Sequence, residues 1–294
     1  MTRSLVKKIL TATIEGFELT ATEFCESEHP NGVTLFCLPG GGASAKFFDL
    51  APDFSFARNM IALGYRVITM DHPGTATNIL PEAQPFFTPR QAADYIAAAM
   101  AQWDISGTVI GIGHSMGGMT ITLLQARHAP FKAIGLFGSS AGGLEWGLSE
   151  DEKAYIDRPD DFARDLEKLT LGKFGRLFTE IPSGPSGKSI TFGGETPELT
   201  QHLRDISCEL YTAGGMMSMM RGSFRAEVEA INVPMFFAFG DHDIGIPPQD
   251  APKDYINAPS TELVVLENTG HNHFAFSSIE TLCEKLDHWA SNVA

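Results

Sequence analysis

The sequence predicts an α/β fold, in which a mostly parallel central sheet is flanked by helices. Short, continuous apolar runs alternate with helix-prone segments, the pattern expected of parallel strands that are covered on both faces. The chain has 294 residues, of which 43% are hydrophobic, so it is long enough to bury a large core. We therefore expect one large α/β domain, with or without an insertion.

The first half of the chain begins with an antiparallel pair of strands. β-branched residues alternate on both sides of Glu15-Gly16, which predicts a hairpin over residues 6–24 at the edge of the sheet. Apolar runs that end in Gly- or Pro-containing loops then predict buried strands at Val33–Leu38, 65–70 and 108–112. Segments of helical propensity predict helices at residues 47–63, 89–103 and 119–128.

The second half interrupts this alternation. A further strand is predicted at residues 131–137, but residues 142–230 are first charged and then rich in Gly, Ser and Pro, with no strand pattern. Strands return at 233–239 and 261–266, followed by a helix at 280–291. The predicted organisation is therefore a core domain of residues 1–141 and 231–294. We expect the 142–230 insertion to lie over the carboxyl edge of the sheet, where ligands bind in such folds.

Charge and composition exclude several classes of partner. The formal net charge is −15, and no cluster of Lys and Arg is available to bind nucleic acid or an anionic membrane surface. No apolar run has the length of a signal peptide or a membrane span. The four cysteines are far apart and have no zinc-site spacing, so no metal is expected. We expect a cytoplasmic protein without a membrane span, a cofactor or a nucleic-acid partner.

The stretch GIGHSMGG at residues 111–118 fits either a phosphate-binding turn or a mount for a nucleophilic serine. A dinucleotide fingerprint fails because Met116 occupies the position of its third glycine. A P-loop over residues 40–47 fails because Ala45 and Phe47 replace the glycine and the hydroxyl residue that it needs. The remaining match is GxSxG between a strand and a helix, in which a strained turn exposes Ser115.

A serine nucleophile needs a base, which in turn needs an acid to orient it. His271 follows the last strand and the Gly that ends its turn, and His273 is the rival base two residues later. The acid is expected after the preceding strand, where Asp243 lies further into the loop than Asp241. We expect Asp241 to be a turn residue that bonds its own backbone. The predicted triad is Ser115, Asp243 and His271.

With these motifs the chain resembles the α/β-hydrolases. The resemblance rests on GHSMGG, on the chain order Ser115, Asp243, His271, on the GDHD and TGH loops that carry the acid and the base, and on DHPG at residues 71–74. It spans the sheet from Val33 to the C-terminus. It implies an α/β-hydrolase fold, and it implies that residues 142–230 form the cap or lid that members of this family carry.

The resemblance also implies an oxyanion hole built from backbone N–H groups. Met116, the residue after the nucleophile, supplies one N–H group and Gly41 the other, with Gly42 in reserve. Many members have His-Gly in this loop, whereas here Pro39 takes the position of that His. The rigidity that this His gives the loop must then come from elsewhere.

The expected activity is hydrolysis of a carboxylic ester or thioester of a small to medium apolar substrate, through an acyl-enzyme on Ser115. LPGGGASAKFF and GYRVITMDHPG also resemble the meta-cleavage-product hydrolases, which split carbon–carbon bonds. Those enzymes usually have Asn before the serine and Trp after the histidine, where this chain has His114 and Asn272. A third possibility, of another class, is a non-catalytic member of the fold that binds a ligand.

Six further residues are predicted to contact substrate. His72 and His242 lie on loops at the expected active edge, although a lone loop histidine is more often simply solvated. Four methionines in the insertion are candidates for an acyl pocket because Met adapts to irregular apolar ligands, although ordinary packing would explain them almost as well. These methionines are Met216, Met217, Met219 and Met220.

Overall fold

An eight-stranded sheet forms the centre of the molecule. The computed structural model describes residues 6–25, 31–80, 85–103, 105, 107–180 and 193–293. Its strands are β1 (Val6–Ile14), β2 (Phe17–Cys25), β3 (Val33–Leu38), β4 (Arg66–Met70), β5 (Thr108–His114), β6 (Ala133–Phe137), β7 (Phe178–Thr179), β8 (Leu210–Tyr211), β9 (Met235–His242) and β10 (Thr261–Gly270). The order in the sheet is β1-β2-β4-β3-β5-β6-β9-β10, whereas β7 and β8 pair with each other. From β4 to β10 all neighbours are parallel, so the carboxyl ends of these strands share one edge.

Helices cover both faces of the sheet, as predicted for an α/β fold. They are α1 (Phe56–Ala62), α2 (Pro89–Gln102), α3 (Met116–His128), α4 (Glu150–Lys153), α5 (Pro159–Phe174), α6 (Pro197–Asp205), α7 (Thr212–Met219), α8 (Arg225–Ala230) and α9 (Ile279–Val293). Buried residues of α2 and α3 belong to the core on one face, and those of α1 and α9 to the core on the other. The hairpin and the buried strands appear where the sequence predicts them, with shifts of a few residues at their ends.

The predicted helix over residues 47–63 is wrong. The structure has a 3₁₀ helix at Ala45–Asp49 and then α1, separated by a turn in which Ala51 and Phe54 exchange backbone hydrogen bonds. Ser55 ends this interruption because its side chain accepts the N–H of Arg58 and caps α1. The apolar spacing continues through the break, so periodicity alone did not reveal it.

Between β6 and β9 the chain leaves the central sheet. Among the described residues of this segment, 142–180 and 193–230, the chain forms α4 to α8 and the two-residue strands β7 and β8, and it adds no strand to the central sheet. The small antiparallel β7–β8 pair was not predicted, since two residues are too few to produce a strand pattern.

A cluster of phenylalanines supports the loop after β10. The ring of Phe274 lies 4.7 Å from that of Phe47, 5.3 Å from Phe48, 5.0 Å from Phe56 and 6.2 Å from Phe137, measured between centroids. All five rings are almost completely buried. Because such packed aromatic side chains have little freedom to move, the backbone on either side of Phe274 is held firmly against the sheet.

Candidate active site

Ser115 occupies a strained turn at the carboxyl end of β5. Its backbone has φ 51° and ψ −122°, and α3 begins at the next residue, three residues earlier than predicted. A positive φ is costly for a residue with a side chain, and such strain concentrates at functional positions. The side chain is half-buried, between a buried strand and a buried helix. The chain thus presents a serine hydroxyl at the edge of the sheet, the geometry expected of a GxSxG motif.

The glycines of GIGHSMGG are needed for close packing around this turn. A Cβ on Gly113 would lie 2.4 Å from the carbonyl oxygen of Gly117, and a Cβ on Gly117 would lie 2.3 Å from that of Leu38. Contacts this short are not tolerated, and the obstructing atoms are backbone atoms that cannot rotate away. The glycines therefore allow α3 to approach β3 and β5.

Asp243 and His271 are hydrogen bonded and almost completely buried. The distance from Asp243 Oδ1 to His271 Nδ1 is 2.6 Å, and the two side chains are 4% and 3% exposed. Burial alone would raise the pKa of the Asp243 carboxyl, but hydrogen bonds from His271 and His273 hold that pKa well below its usual range. Asp243 is therefore an ionised acceptor that orients the imidazole of His271.

The loop after β6 lies between this pair and Ser115. A Cβ on Gly138 would lie 3.0 Å from His271 Nδ1 and 3.1 Å from Asp243 Oδ2, and Ser115 donates its backbone N–H to the carbonyl of Phe137 at 2.8 Å. Phe137 and Gly138 thus contact the serine turn on one side and the Asp243–His271 pair on the other. Ser115 and the Asp243–His271 pair thus flank the same two residues.

His114 holds the loop that carries His271. Its Nε2 lies 2.8 Å from the carbonyl oxygen of His271, and the two rings are 4.8 Å apart between centroids. Burial lowers the pKa of His114 well below its ordinary value, and the neighbouring His271 and His273 lower it further. The His114 ring is therefore neutral and donates from Nε2. The residue before the serine thus links the serine turn to the loop of His271.

Asp241 lies within β9 and not in a turn, contrary to the prediction, although its own backbone N–H is among the groups that lower the pKa of its carboxyl. Its carboxylate accepts the backbone N–H groups of Asn268 and Thr269, at 2.9 Å each. These two residues belong to β10, just before His271. Asp241 therefore fixes the end of β10 against the end of β9, while Asp243 bonds the histidine itself.

The loop after β3 passes directly beside the serine turn. A Cβ on Gly40 would lie 3.2 Å from the Cβ of Ser115, and Gly40 and Ala43 close a turn through a backbone hydrogen bond of 3.3 Å. Within that turn lie Gly41 and Gly42, and Gly42 has a φ of +77°. The loop after β3 thus packs against the serine turn.

His72, predicted to contact substrate, is buried and supports this loop. The side chain is 2% exposed and its Nε2 lies 2.8 Å from the carbonyl oxygen of Pro39. Burial lowers the pKa of His72, so the ring is neutral and donates to that carbonyl. Asp71 adds a second link, because its Oδ1 accepts the N–H of Ala45 at 2.5 Å. A histidine from the neighbouring loop thus steadies the chain at Pro39.

The four methionines and His242, which are also predicted to contact substrate, differ from one another in burial. Three of the methionines, Met216, Met217 and Met220, are fully buried in the hydrophobic core and line no open pocket, because no part of their surface is accessible. Met219 is half-buried, and the His242 side chain is 73% exposed. Full burial was compatible with the sequence pattern, which does not distinguish packing from a binding pocket.

Two important neighbours were missed by the sequence analysis. His273 appeared only as the rival base, yet its Nε2 lies 2.9 Å from Asp243 Oδ2. The His-x-His spacing was the available signal. Leu210 of β8 lies against the glycine loop, where a Cβ on Gly41 would be 2.6 Å from its Cδ1. No local pattern marks Leu210, because the contact joins residues far apart in the sequence.

The comparison with protein families identifies the class. The model of the α/β hydrolase family matches residues 35–280. This match covers most of the chain and includes Ser115, Asp243 and His271. The chain therefore belongs to the α/β hydrolase family.

Solved structures share this fold at low sequence identity. A thermophilic esterase from Thermogutta terrifontis superposes with a TM-score of 0.61 at 17% identity, covering 99% of both chains. The thioesterase domain of the curacin biosynthetic pathway gives 0.64 at 15% identity, covering 96% of this chain and 99% of that one. An N-acyl homoserine lactonase mutant complexed with N-hexanoyl homoserine gives 0.62 at 17% identity, covering 99% and 98%. No curated protein matches the chain.

Within the described residues, every helix is too short or too polar to cross a lipid bilayer.

Substitution of Gly117 tests the packing of the serine turn. We expect Gly117→Ala to lower the free energy of unfolding by about 1–3 kcal/mol, because the new methyl group meets the backbone of Leu38. The matched control is Gly172→Ala in α5, where a Cβ meets nothing within 4 Å. This control should gain up to about 1 kcal/mol from helix propensity. Chemical denaturation measures both changes, and equal stability of the two variants would contradict the packing argument.

Proposed function

We propose that the protein is a serine hydrolase that cleaves a carboxylic ester or thioester of a small to medium apolar substrate. The observation that carries this proposal is the conformation of Ser115, a non-glycine residue with a positive φ, beside the buried Asp243–His271 pair. The combination is costly, since it requires backbone strain and a buried carboxylate. It is explained if Ser115 is a nucleophile and His271 its base.

The proposed reaction has two halves. In the first, His271 takes the proton from Ser115 Oγ while Oγ bonds to the substrate carbonyl carbon, and His271 then gives this proton to the leaving alcohol or thiol. In the second, His271 takes a proton from water, whose oxygen attacks the acyl-enzyme, and returns the proton to Ser115 as the acid departs. Asp243 stays ionised throughout and stabilises the imidazolium form of His271.

Backbone N–H groups are proposed to bind the oxyanion. Met116 is the first residue of α3, so its N–H has no acceptor within the helix, and the helix N-terminus favours negative charge. Gly41 supplies the second N–H group, with Gly42 as the alternative donor in the same turn. Each donor is worth about 3 kcal/mol of transition-state stabilisation in enzymes of this kind. The hydrogen bond from His72 to Pro39 supports this assignment because it limits movement of the loop.

Residues 142–230 are proposed to act as the cap of the site. Leu210 contacts Gly41 and Gly214 of α7 lies against Met116, where a Cβ would be 2.8 Å from Sδ. At the neighbouring loop, the ring of Phe178 leaves no space for a Cβ on Gly74. These contacts support a role as cap, because Gly41 and Met116 are the proposed oxyanion donors. They support an apolar acyl or alcohol group as the part of the substrate that the segment contacts.

An ester panel tests the proposed function. Wild-type protein is expected to hydrolyse p-nitrophenyl esters between acetate and dodecanoate, with a chain-length preference set by the proposed cap. Ser115→Ala should lower kcat by about 10⁴-fold or more, because no other group forms the acyl-enzyme. The control is Ser260→Ala, an exposed serine at the opposite edge of the sheet, which should behave as wild type. Turnover that survives in Ser115→Ala, or no turnover of any ester by wild type, would contradict the proposal.

A pair of aspartates tests the assignment of the acid. Asp243→Asn is expected to lower kcat by about 10³–10⁴-fold, because the amide no longer holds His271 in the required tautomer. Asp241→Asn makes the same change of charge two residues away and should retain kcat within about tenfold, since this carboxylate accepts the backbone N–H groups of Asn268 and Thr269 and does not bond His271. The comparison uses kcat on the best ester of the panel. A larger loss in Asp241→Asn would reverse the assignment.

A further inference from the structure

We propose that His273 is a positioning residue for this reaction, which holds the second oxygen of Asp243 so that the first oxygen stays directed at His271. This inference rests on the proposed function. It assigns to the active site a second histidine that never contacts the substrate.

The two carboxylate oxygens of Asp243 each bind one imidazole. Oδ1 lies 2.6 Å from His271 Nδ1 and accepts the N–H of Ile244 at 2.8 Å, while Oδ2 lies 2.9 Å from His273 Nε2 and 3.3 Å from the N–H of Gly240. A carboxylate with a donor on each oxygen cannot rotate about its last bond without breaking one of these contacts. His273, which makes the shorter of the two contacts to Oδ2, therefore helps to fix the plane in which Asp243 receives His271.

The surroundings of His273 define its protonation state. The side chain is completely buried, and its Nδ1 has no hydrogen-bond partner among the described residues. A protonated Nδ1 in that position would leave a buried N–H unsatisfied, which costs more than an unsatisfied lone pair on a neutral ring. The neutral tautomer with its proton on Nε2 fits the arrangement, because this proton is then donated to Asp243.

His273 is itself held in place by the backbone of the loop. Its N–H donates to the carbonyl of His271 at 3.0 Å, the same carbonyl that accepts His114 Nε2. Phe274, the next residue, lies within the cluster of phenylalanines described above. The backbone that carries the His273 ring is thus held in place. A side chain can position another group only if it is itself held in this way.

The titratable groups that face His273 are few. They are Asp243, the His114 ring at 5.6 Å in an edge-on arrangement and the His271 ring at 6.4 Å, both measured between centroids. Glu195 approaches the same loop by accepting a hydrogen bond from Asn272 at 3.0 Å. Among the described residues, Asp243 is thus the carboxylate that contacts His273. Donation by His273 withdraws part of the negative charge that would otherwise stabilise the imidazolium form of His271.

Two substitutions of His273 separate positioning from packing. His273→Gln places an amide N–H near the position of Nε2, whereas His273→Leu fills the space without a donor. We expect His273→Leu to lower kcat roughly tenfold with little change in KM. The midpoint of the acid limb of kcat/KM should move up by about half a pH unit to one unit, because Asp243 with one donor fewer stabilises protonated His271 more strongly. His273→Gln should recover most of kcat and the wild-type midpoint.

A second readout does not depend on catalysis. In ¹⁵N-histidine-labelled wild-type protein, the resonances that disappear in His273→Gln should have the shifts of a neutral ring protonated on Nε2. A cationic ring or an Nδ1–H tautomer would overturn the proposal, whether or not esters are hydrolysed and whether or not His273→Leu folds. It would also be overturned if both variants showed the wild-type pH profile in a protein whose turnover requires Ser115. If wild-type protein hydrolysed no ester but showed the expected ¹⁵N shifts for His273, only the proposed function would be rejected.

Discussion

The positive φ of Ser115 turns the chain from β5 into α3 within one residue, and the surrounding structure is arranged around that turn. Gly113 and Gly117 are required because the backbone of α3 passes so close to β3 and β5 that a methyl group has no space. The parallel sheet contributes the second condition, since it brings the loops after β3, β9 and β10 to the same edge as the serine. A local strain that would be costly in isolation is thereby held in place by the packed sheet and helix.

Electrostatic support around the proposed acid and base comes from two further histidines. His114 donates to the backbone of His271, and His273 donates to the side chain of Asp243, so one histidine holds each member of the pair. Both rings are buried, and a neutral ring that donates one proton fits each position. The resulting site keeps a carboxylate ionised away from water by surrounding it with donors, which is the condition under which a buried charge is tolerated.

The features that could be predicted from the sequence are those encoded by short, local patterns. The alternation of strands and helices, the GxSxG turn and the chain order of Ser115, Asp243 and His271 depend on short patterns, and the fold and family were predicted from them. The roles of His72 and Asp241 were not, because each is defined by a partner from another strand or loop. Burial was equally hidden, since a run of methionines has the same composition in a core and in a pocket.

The most direct test of this account is chemical trapping of the nucleophile. Native protein treated with a fluorophosphonate, then digested and analysed by mass spectrometry, should carry one phosphonyl group per chain, located on Ser115. Protein unfolded before treatment should carry none, because the hydroxyl is reactive only beside His271 in the folded site. Absence of an adduct on native protein, or an adduct on another residue, would contradict the claim that this strained serine is an activated nucleophile.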